Sequence, residues 1–360
     1  MTAGSIARNT REQHETDSNI PLAAHAIRDR ILHAQRLVLL THSSPDADAV
    51  GSLLAMASLC RRLGRAPVAM ATGDHAVPDN LRFLDGALGL TNVDDQAIID
   101  ADLLIFMDCS DPSRLGPLYY RLQPEFERRR DCINIDHHVT NDRFGSLNLV
   151  VPAAAATSEI VTRIYQSLDM GIEPGEATTL LAGIYGDTLG LRTPSTTPST
   201  LRVSAELIEA GGDVDTVVDY LFRLKPFSTI ALWGEALSHV QWRGALIWTA
   251  IYPEMLAKTG ATRAEGEGIV NFLAGALGAR AACLLYLEPW GWRVSLRSLA
   301  DDVDVAWLAK RHGGGGHTRA AGCRLEPGEA QRERFLDDIA AQLGPAPDHA
   351  ITVSSGDEPV

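Results

Sequence analysis

Four apolar runs in the first half of the chain each stop at acidic or imidazole side chains. Leu37–Leu40 leads into His42-Ser43-Ser44-Pro45-Asp46-Ala47-Asp48, and Leu103–Met107 into Asp108. Cys132–Ile135 leads into Asp136-His137-His138, and Leu180–Tyr185 into Gly186-Asp187. Short apolar runs bounded by polar turns read as buried strands. Pro67–Ala71 is a further run of this kind, and Ala47–Leu63 has helical periodicity. Alternating strands and helices predict an α/β fold, with a mainly parallel sheet carrying helices on both faces. Ligands bind such sheets beyond the carboxyl ends of the strands. The pattern therefore predicts that Asp and His side chains from four segments meet at one edge.

Taken singly, each residue has an ordinary explanation. A strand-end Asp is most often a helix N-cap, and Asp46 or Asp48 suits the helix that follows. Asp187 alone reads as a turn residue, and His137-His138 as loop histidines. The joint pattern points elsewhere. His42, Asp46, Asp48, Asp108, His137 and Asp187 bring together four carboxylates and two imidazoles. Carboxylates packed together repel and take up protons unless cations are present. Two divalent ions would balance the four negative charges. Oxygen-rich donors with some imidazole favour Mn²⁺, Mg²⁺ or Co²⁺ over a thiolate zinc site. Two such ions about 3.5–4 Å apart activate a bridging water for attack on phosphorus.

The segment His42–Ser52 resembles the first motif of the DHH phosphoesterases, and Asp136-His137-His138 is similar to the motif that names them. Asp108 and Asp187 match the second and fourth motifs in order, and Ala156-Thr157-Ser158-Glu159 resembles a further segment of the family. The resemblance implies that His42, Asp46 and Asp108 hold one Mn²⁺. It implies that Asp48, Asp108, His137 and Asp187 hold a second, with Asp108 bridging. Asp136 would orient a neighbour, and His138 would stand near the scissile phosphate. One departure is Ala47, where many members carry Gly; its methyl lies beside the metal loop.

The second half carries Gly313-Gly314-Gly315-Gly316-His317, followed by Ala320-Ala321-Gly322. A bare glycine run reads as a flexible loop, or as backbone N–H groups free to cradle an anion. Between Leu277 and Arg324 there are seven basic and four acidic residues, a local excess of +3 in a chain of net charge −14. That excess favours a confined phosphate site over a general basic face. The glycine run resembles the motif of the DHH-associated C-terminal domain, and Val294–Ser298 its substrate-contacting strand. The resemblance implies that Arg297, Ser298, Gly314, Gly315, Gly316 and His317 bind the terminal phosphate or base of a short nucleotide, the two domains closing over the metals. The six tryptophans all lie in the second half, with packing as their default role. Cys109 reads as a small packed residue.

The expected organisation is a catalytic metal-binding domain over 20–195 and a linker with a helix over 196–228. A smaller α/β substrate-binding domain covers 229–343, and flexible tails cover 1–19 and 344–360. The Pro/Ser/Thr-rich stretch Arg192–Thr200 precedes the helical stretch Leu201–Leu224, broken at Gly211-Gly212. A hairpin is expected where Ala281–Leu287 meets Trp292–Leu296.

Composition narrows the function. With 45% hydrophobic and 22% charged residues the chain is globular. Its acidic balance opposes coating of long nucleic acid by charge. No run of roughly 20 apolar residues signals a membrane span, and the polar first residues lack a signal-peptide core. Five scattered cysteines without C-x-x-C suit a reducing cytoplasm. The expected activity is that of the stand-alone bacterial nanoRNase-type members of the family: a two-metal, Mn²⁺-dependent hydrolase of dinucleotides and 3′-phosphoadenosine 5′-phosphate. A homodimer is the assembly the resemblance suggests. The alternatives are a cyclic di-AMP phosphodiesterase and a non-catalytic nucleotide sensor.

Overall fold

A computed structural model describes residues 20–72, 77–90, 93–128, 131–266 and 268–345. The expected tail at 1–19, and residues 346–360 of the one expected at 344–360, lie outside them. The chain divides into two compact units, Met1–Leu224 and Lys225–Val360.

The first unit is built on five parallel strands: β1 (Leu37–Thr41), β2 (Val68–Ala71), β3 (Leu103–Met107), β4 (Cys132–Asp136) and β5 (Leu147–Val150). Their order is β2-β1-β3-β4-β5. Side chains alternate across a strand, so Leu37 and Leu39 enter one core while Val38 and Leu40 enter the other. The first core is the larger. It packs the sheet against α1 (Ile20–His33) and α2 (Ala47–Arg62). The other face is covered by short helices, α3 (Asp95–Asp100), α4 (Pro117–Arg121) and α5 (Gln123–Arg128). Beyond β5 the chain returns to the larger core as α6 (Thr157–Ser167), α7 (Pro174–Asp187), α8 (Pro198–Glu209) and α9 (Val214–Val218). The stretch expected as a linker thus contributes Val203, Leu207 and Val217 to this core.

One element differs from expectation. Leu180–Tyr185 is the last part of helix α7, so Asp187 closes a helix and not a strand. The run holds Leu180, Leu181, Ala182 and Ile184, all fully buried. A helix buried on most sides reads in sequence like a buried strand. Gly183 is the reason α7 can come so close: a Cβ there would stand 2.8 Å from Asp48 Oδ1 and collide with Ser158.

The second unit holds a six-stranded sheet: β6 (Gln241–Arg243), β7 (Leu246–Ile251), β8 (Ala281–Glu288), β9 (Gly291–Ser298), β10 (Gly315–His317) and β11 (Ala320–Leu325). The order is β10-β11-β9-β8-β7-β6, with only β7–β8 parallel. β8 and β9 form the expected hairpin across Pro289-Trp290. Helices α10 (Phe227–Leu237), α11 (Pro253–Thr259) and α12 (Ile269–Leu273) pack over β7 and β8 on one face. α13 (Val305–Lys310) and α14 (Glu329–Leu343) cover the opposite face. No helix among the described residues is long and apolar enough to cross a membrane.

Candidate metal centre

β1, β3 and β4 end at the same edge of the first sheet and carry His42, Asp108 and Asp136 there. Each is buried. Asp108 takes a left-handed backbone (φ 54°), unusual for a non-glycine residue. Its N–H donates to Ile135 O on the neighbouring strand at 3.0 Å.

Asp46 shows that the cap reading and the ligand reading are compatible. Its Oδ1 accepts the N–H groups of Asp48 and Ala49 at 3.1 and 3.0 Å, capping α2. The same carboxylate lies in one donor group with His42 and Asp108, whose ligand atoms all fall within 4.8 Å of one another. Asp48, His137 and Asp187 form a second such group. Asp108 joins the two, with His42 Nε2 at 3.5 Å and His137 Nε2 at 3.7 Å from its carboxylate oxygens. Asp187 arrives from the end of α7 and reaches 3.1 Å from His137 Nε2.

The donors fit divalent cations. His42 Nδ1 is buried without a hydrogen-bond partner, and such an orphaned group is costly unless something binds it. Burial, followed by the charges of Asp108 and Asp187, pushes the Asp48 carboxyl well above its usual range. Burial also pushes Asp108 up, but the imidazoles of His42, His137 and His138 outweigh it and hold Asp108 below the usual range. Burial lowers His137, yet Asp187, Asp48 and Asp108 together push it up to about 10. A cluster with these opposing shifts is short of positive charge, which metal ions would supply.

His138 belongs to a separate group with Asp108, Asp136 and His137. Its Nδ1 stands 2.8 Å from Asp136 Oδ1, a contact that raises the imidazole above its ordinary value. Asp136 also accepts the His137 N–H at 2.8 Å and Asn141 Nδ2 at 2.6 Å. It therefore fixes both histidines.

Several residues at the site carry no role in the sequence reading. Asn141 is one. Thr157 and Ser158 are others: their N–H groups donate to Asp48 at 2.6 and 2.8 Å, and Thr157 Oγ1 donates to Asp108 Oδ1 at 3.0 Å. The N-cap of helix α6 is Ala156, which supplies no side-chain cap, so Asp48 satisfies its first N–H groups. The buried Glu159 braces this turn, accepting Ala155 N–H at 3.0 Å and Thr200 Oγ1 at 2.9 Å. The signal was Thr157-Ser158 at a helix start, visible in sequence but without a partner until the fold is known. Cys109 is buried, and its thiol is pushed far up by burial, in keeping with packing.

The second unit places the remaining candidates. The glycine run is not a free loop: Gly315–His317 pair with Ala320–Gly322 as β10. At Gly316 (φ 142°) a Cβ would lie 2.5 Å from Ala320 O, and at Gly314 it would collide with Gly322 O. Gly315 has open space above it. Arg297 donates from Nε to Asn271 Oδ1 at 2.8 Å and from Nη1 to Leu296 O at 3.0 Å. Its register places it across from Ala320, which faces His317 in turn. Ser298 turns away and donates to Ala300 O at 2.9 Å.

Comparison with known proteins agrees with this architecture. Residues 36–184 match the DHH family N-terminal domain, and residues 249–344 match the DHHA1 domain. The bifunctional oligoribonuclease and PAP phosphatase NrnA of Thermus thermophilus is 32% identical over 85% of this chain and 90% of its own. Its Bacillus subtilis namesake is 27% identical over 84% and 93%. An exopolyphosphatase-related protein from Bacteroides fragilis has the same fold, with a TM-score of 0.79 at 23% identity over 89% of this chain and 97% of its own. The chain belongs to the DHH family of phosphoesterases, hydrolases that act on phosphoester bonds.

Proposed function

We propose that the protein is a Mn²⁺-dependent phosphoesterase acting on short oligoribonucleotides and on 3′-phosphoadenosine 5′-phosphate. The observation that carries this reading is the pair of adjacent donor groups, His42/Asp46/Asp108 and Asp48/His137/Asp187, joined through Asp108. The similarity to relatives named for oligoribonuclease and PAP phosphatase activity supports the substrate class. Two ions would be held by these groups, with Asp108 shared. Bound divalent ions supply a polarised water nucleophile and neutralise charge on phosphoryl oxygens.

The protein's own residues do the rest. The two α6 N–H groups hold Asp48 in one orientation, and Thr157 does the same for Asp108. Asp136 holds His138 by Nδ1, which leaves Nε2 to face the phosphate. From there His138 orients a phosphoryl oxygen or passes a proton to the leaving oxygen. Arg297, Gly315 and His317 provide the substrate-end contacts. The five cysteines are buried thiols that form no disulfide, which favours a reducing, cytoplasmic setting.

The test is a substrate panel with purified protein in Mn²⁺: diadenylate, 3′-phosphoadenosine 5′-phosphate, cyclic di-AMP and a 24-mer, each with a chelator control. Chelator-sensitive turnover of the first two, with poor use of the 24-mer, is expected. Turnover of cyclic di-AMP alone would move the protein to cyclic-dinucleotide hydrolysis. Tight nucleotide binding without turnover would make it a sensor.

A further inference from the structure

One face of the second sheet is only half covered. Over β7 and β8 it carries Ile247, Ile251, Ala282, Leu284 and Tyr286, packed in the core beneath α10–α12. In register, the same face continues as Arg297, Ser295 and Arg293 on β9. It continues further as Ala320, Gly322 and Arg324 on β11. Here the face is open, and a cavity of about 610 Å³ lies over it. One end of the cavity holds Arg297 and the glycine run. The other end holds Arg293 and Arg324, which have no role in the function proposed above.

These two arginines stand directly opposite each other. Like charges in that position destabilise a sheet. Among the described residues neither guanidinium makes an ion pair or a hydrogen bond, although the chain is strongly acidic. Arg243, Arg280, Arg311 and Arg319 of the same unit are each paired with a carboxylate. The Arg324 guanidinium instead lies over the Trp290 ring, 4.8 Å from its centre. Contact with the ring face holds the guanidinium without using an N–H group, which leaves its donors for a forked contact to phosphate. Between the two ends the floor is Ser295, Ala320 and Gly322, low enough for a chain to lie on. Arg293 and Arg297 are separated by about 13 Å of strand, and Arg297 is tied back to Asn271 and Leu296. A single phosphate therefore does not serve both ends.

We propose that Arg293 and Arg324 form a second phosphate subsite. It takes a phosphodiester of an oligonucleotide whose terminal nucleotide lies at Arg297 and Gly315. The inference rests on the short-oligonucleotide reading and extends it: the site selects chains longer than a dinucleotide over mononucleotides.

The test compares wild type with the Arg293→Ala/Arg324→Ala double variant. The readout is the ratio of kcat/KM for pentaadenylate to kcat/KM for 3′-phosphoadenosine 5′-phosphate. A fall in this ratio of about tenfold or more, in line with the loss of charge-assisted contacts, is expected. The KM for pentaadenylate should also depend less on salt. An unchanged ratio, whether both substrates are unaffected or both suffer equally, overturns the inference and leaves the function reading intact. If wild type hydrolyses neither substrate, the function reading fails on its own. In that case the Kd of fluorescently labelled pentaadenylate, measured in chelator, reads the subsite directly. A tenfold weakening in the variant supports it, and equal affinity overturns it.

Discussion

The N–H of Thr157 donates to Asp48 Oδ2 at 2.6 Å, so the first turn of α6 is capped by a carboxylate from the start of α2. The same threonine reaches Asp108 through its hydroxyl. One residue thus touches both candidate donor groups without belonging to either. Thr157→Val keeps the shape and the backbone contact but removes the hydroxyl donor. We expect the Mn²⁺ activation constant to rise roughly 10- to 100-fold, the usual effect of losing a partner behind a metal ligand. Thr157→Ser should restore it. Equal activation constants for Val and Thr would contradict the role.

Asp108→Asn preserves volume while removing the charge shared by both groups. Hydrolysis should fall by at least about a thousandfold, and Mn²⁺ bound per chain should drop, since a bridging donor serves two ions. A folded variant with near-normal turnover at saturating Mn²⁺ would sink the bridging assignment.

Gly183→Ala tests the close approach of α7. The new methyl would collide with Ser158 and crowd Asp48 Oδ1. Overpacking of this kind costs about 1–3 kcal/mol. Thermal unfolding should report that loss, and Mn²⁺ affinity should fall although no ligand has changed. Gly171, where a Cβ has open space, gives the control.

Glu265 provides a pH-dependent prediction in the second unit. Ser228 Oγ, then Thr262 N–H and further hydroxyls, hold its carboxyl down to about 2, against the ordinary 4.5. The folded value lies below the unfolded one. The stabilisation is therefore complete above about pH 4.5 and is lost as pH falls toward 2. The Tm gap between wild type and Glu265→Gln should narrow as pH drops from 6 to 3. A gap constant over that range would show that the charge is not involved.

The strand ends were legible because a buried strand has a simple signature. Leu37–Leu40, Leu103–Met107 and Cys132–Ile135 are uninterrupted apolar runs, and each ends at the polar edge. Leu147–Val150 was not read as a strand, since Asn148 breaks the run and half of it is only partly buried. The sequence pattern puts Asp187 at a strand end, whereas it closes helix α7, whose burial hides its period. The glycine run reads in sequence as a flexible loop or an anion cradle because glycine carries no strand signal. Its pairing as β10 depends on β11 lying so near that Gly314 and Gly316 admit no side chain. Contacts such as Thr157 to Asp48 join positions 109 apart, and no local pattern announces them.

Asp46 caps α2 with Oδ1 and, by the same carboxylate, faces His42 and Asp108. The start of a helix and the rim of the candidate metal centre are therefore one side chain. Anyone wishing to silence the chemistry while keeping the scaffold should avoid alanine at this position, which would fray the helix as well. Asn or Ser keeps the cap and discards the charge, separating architecture from catalysis at a single residue.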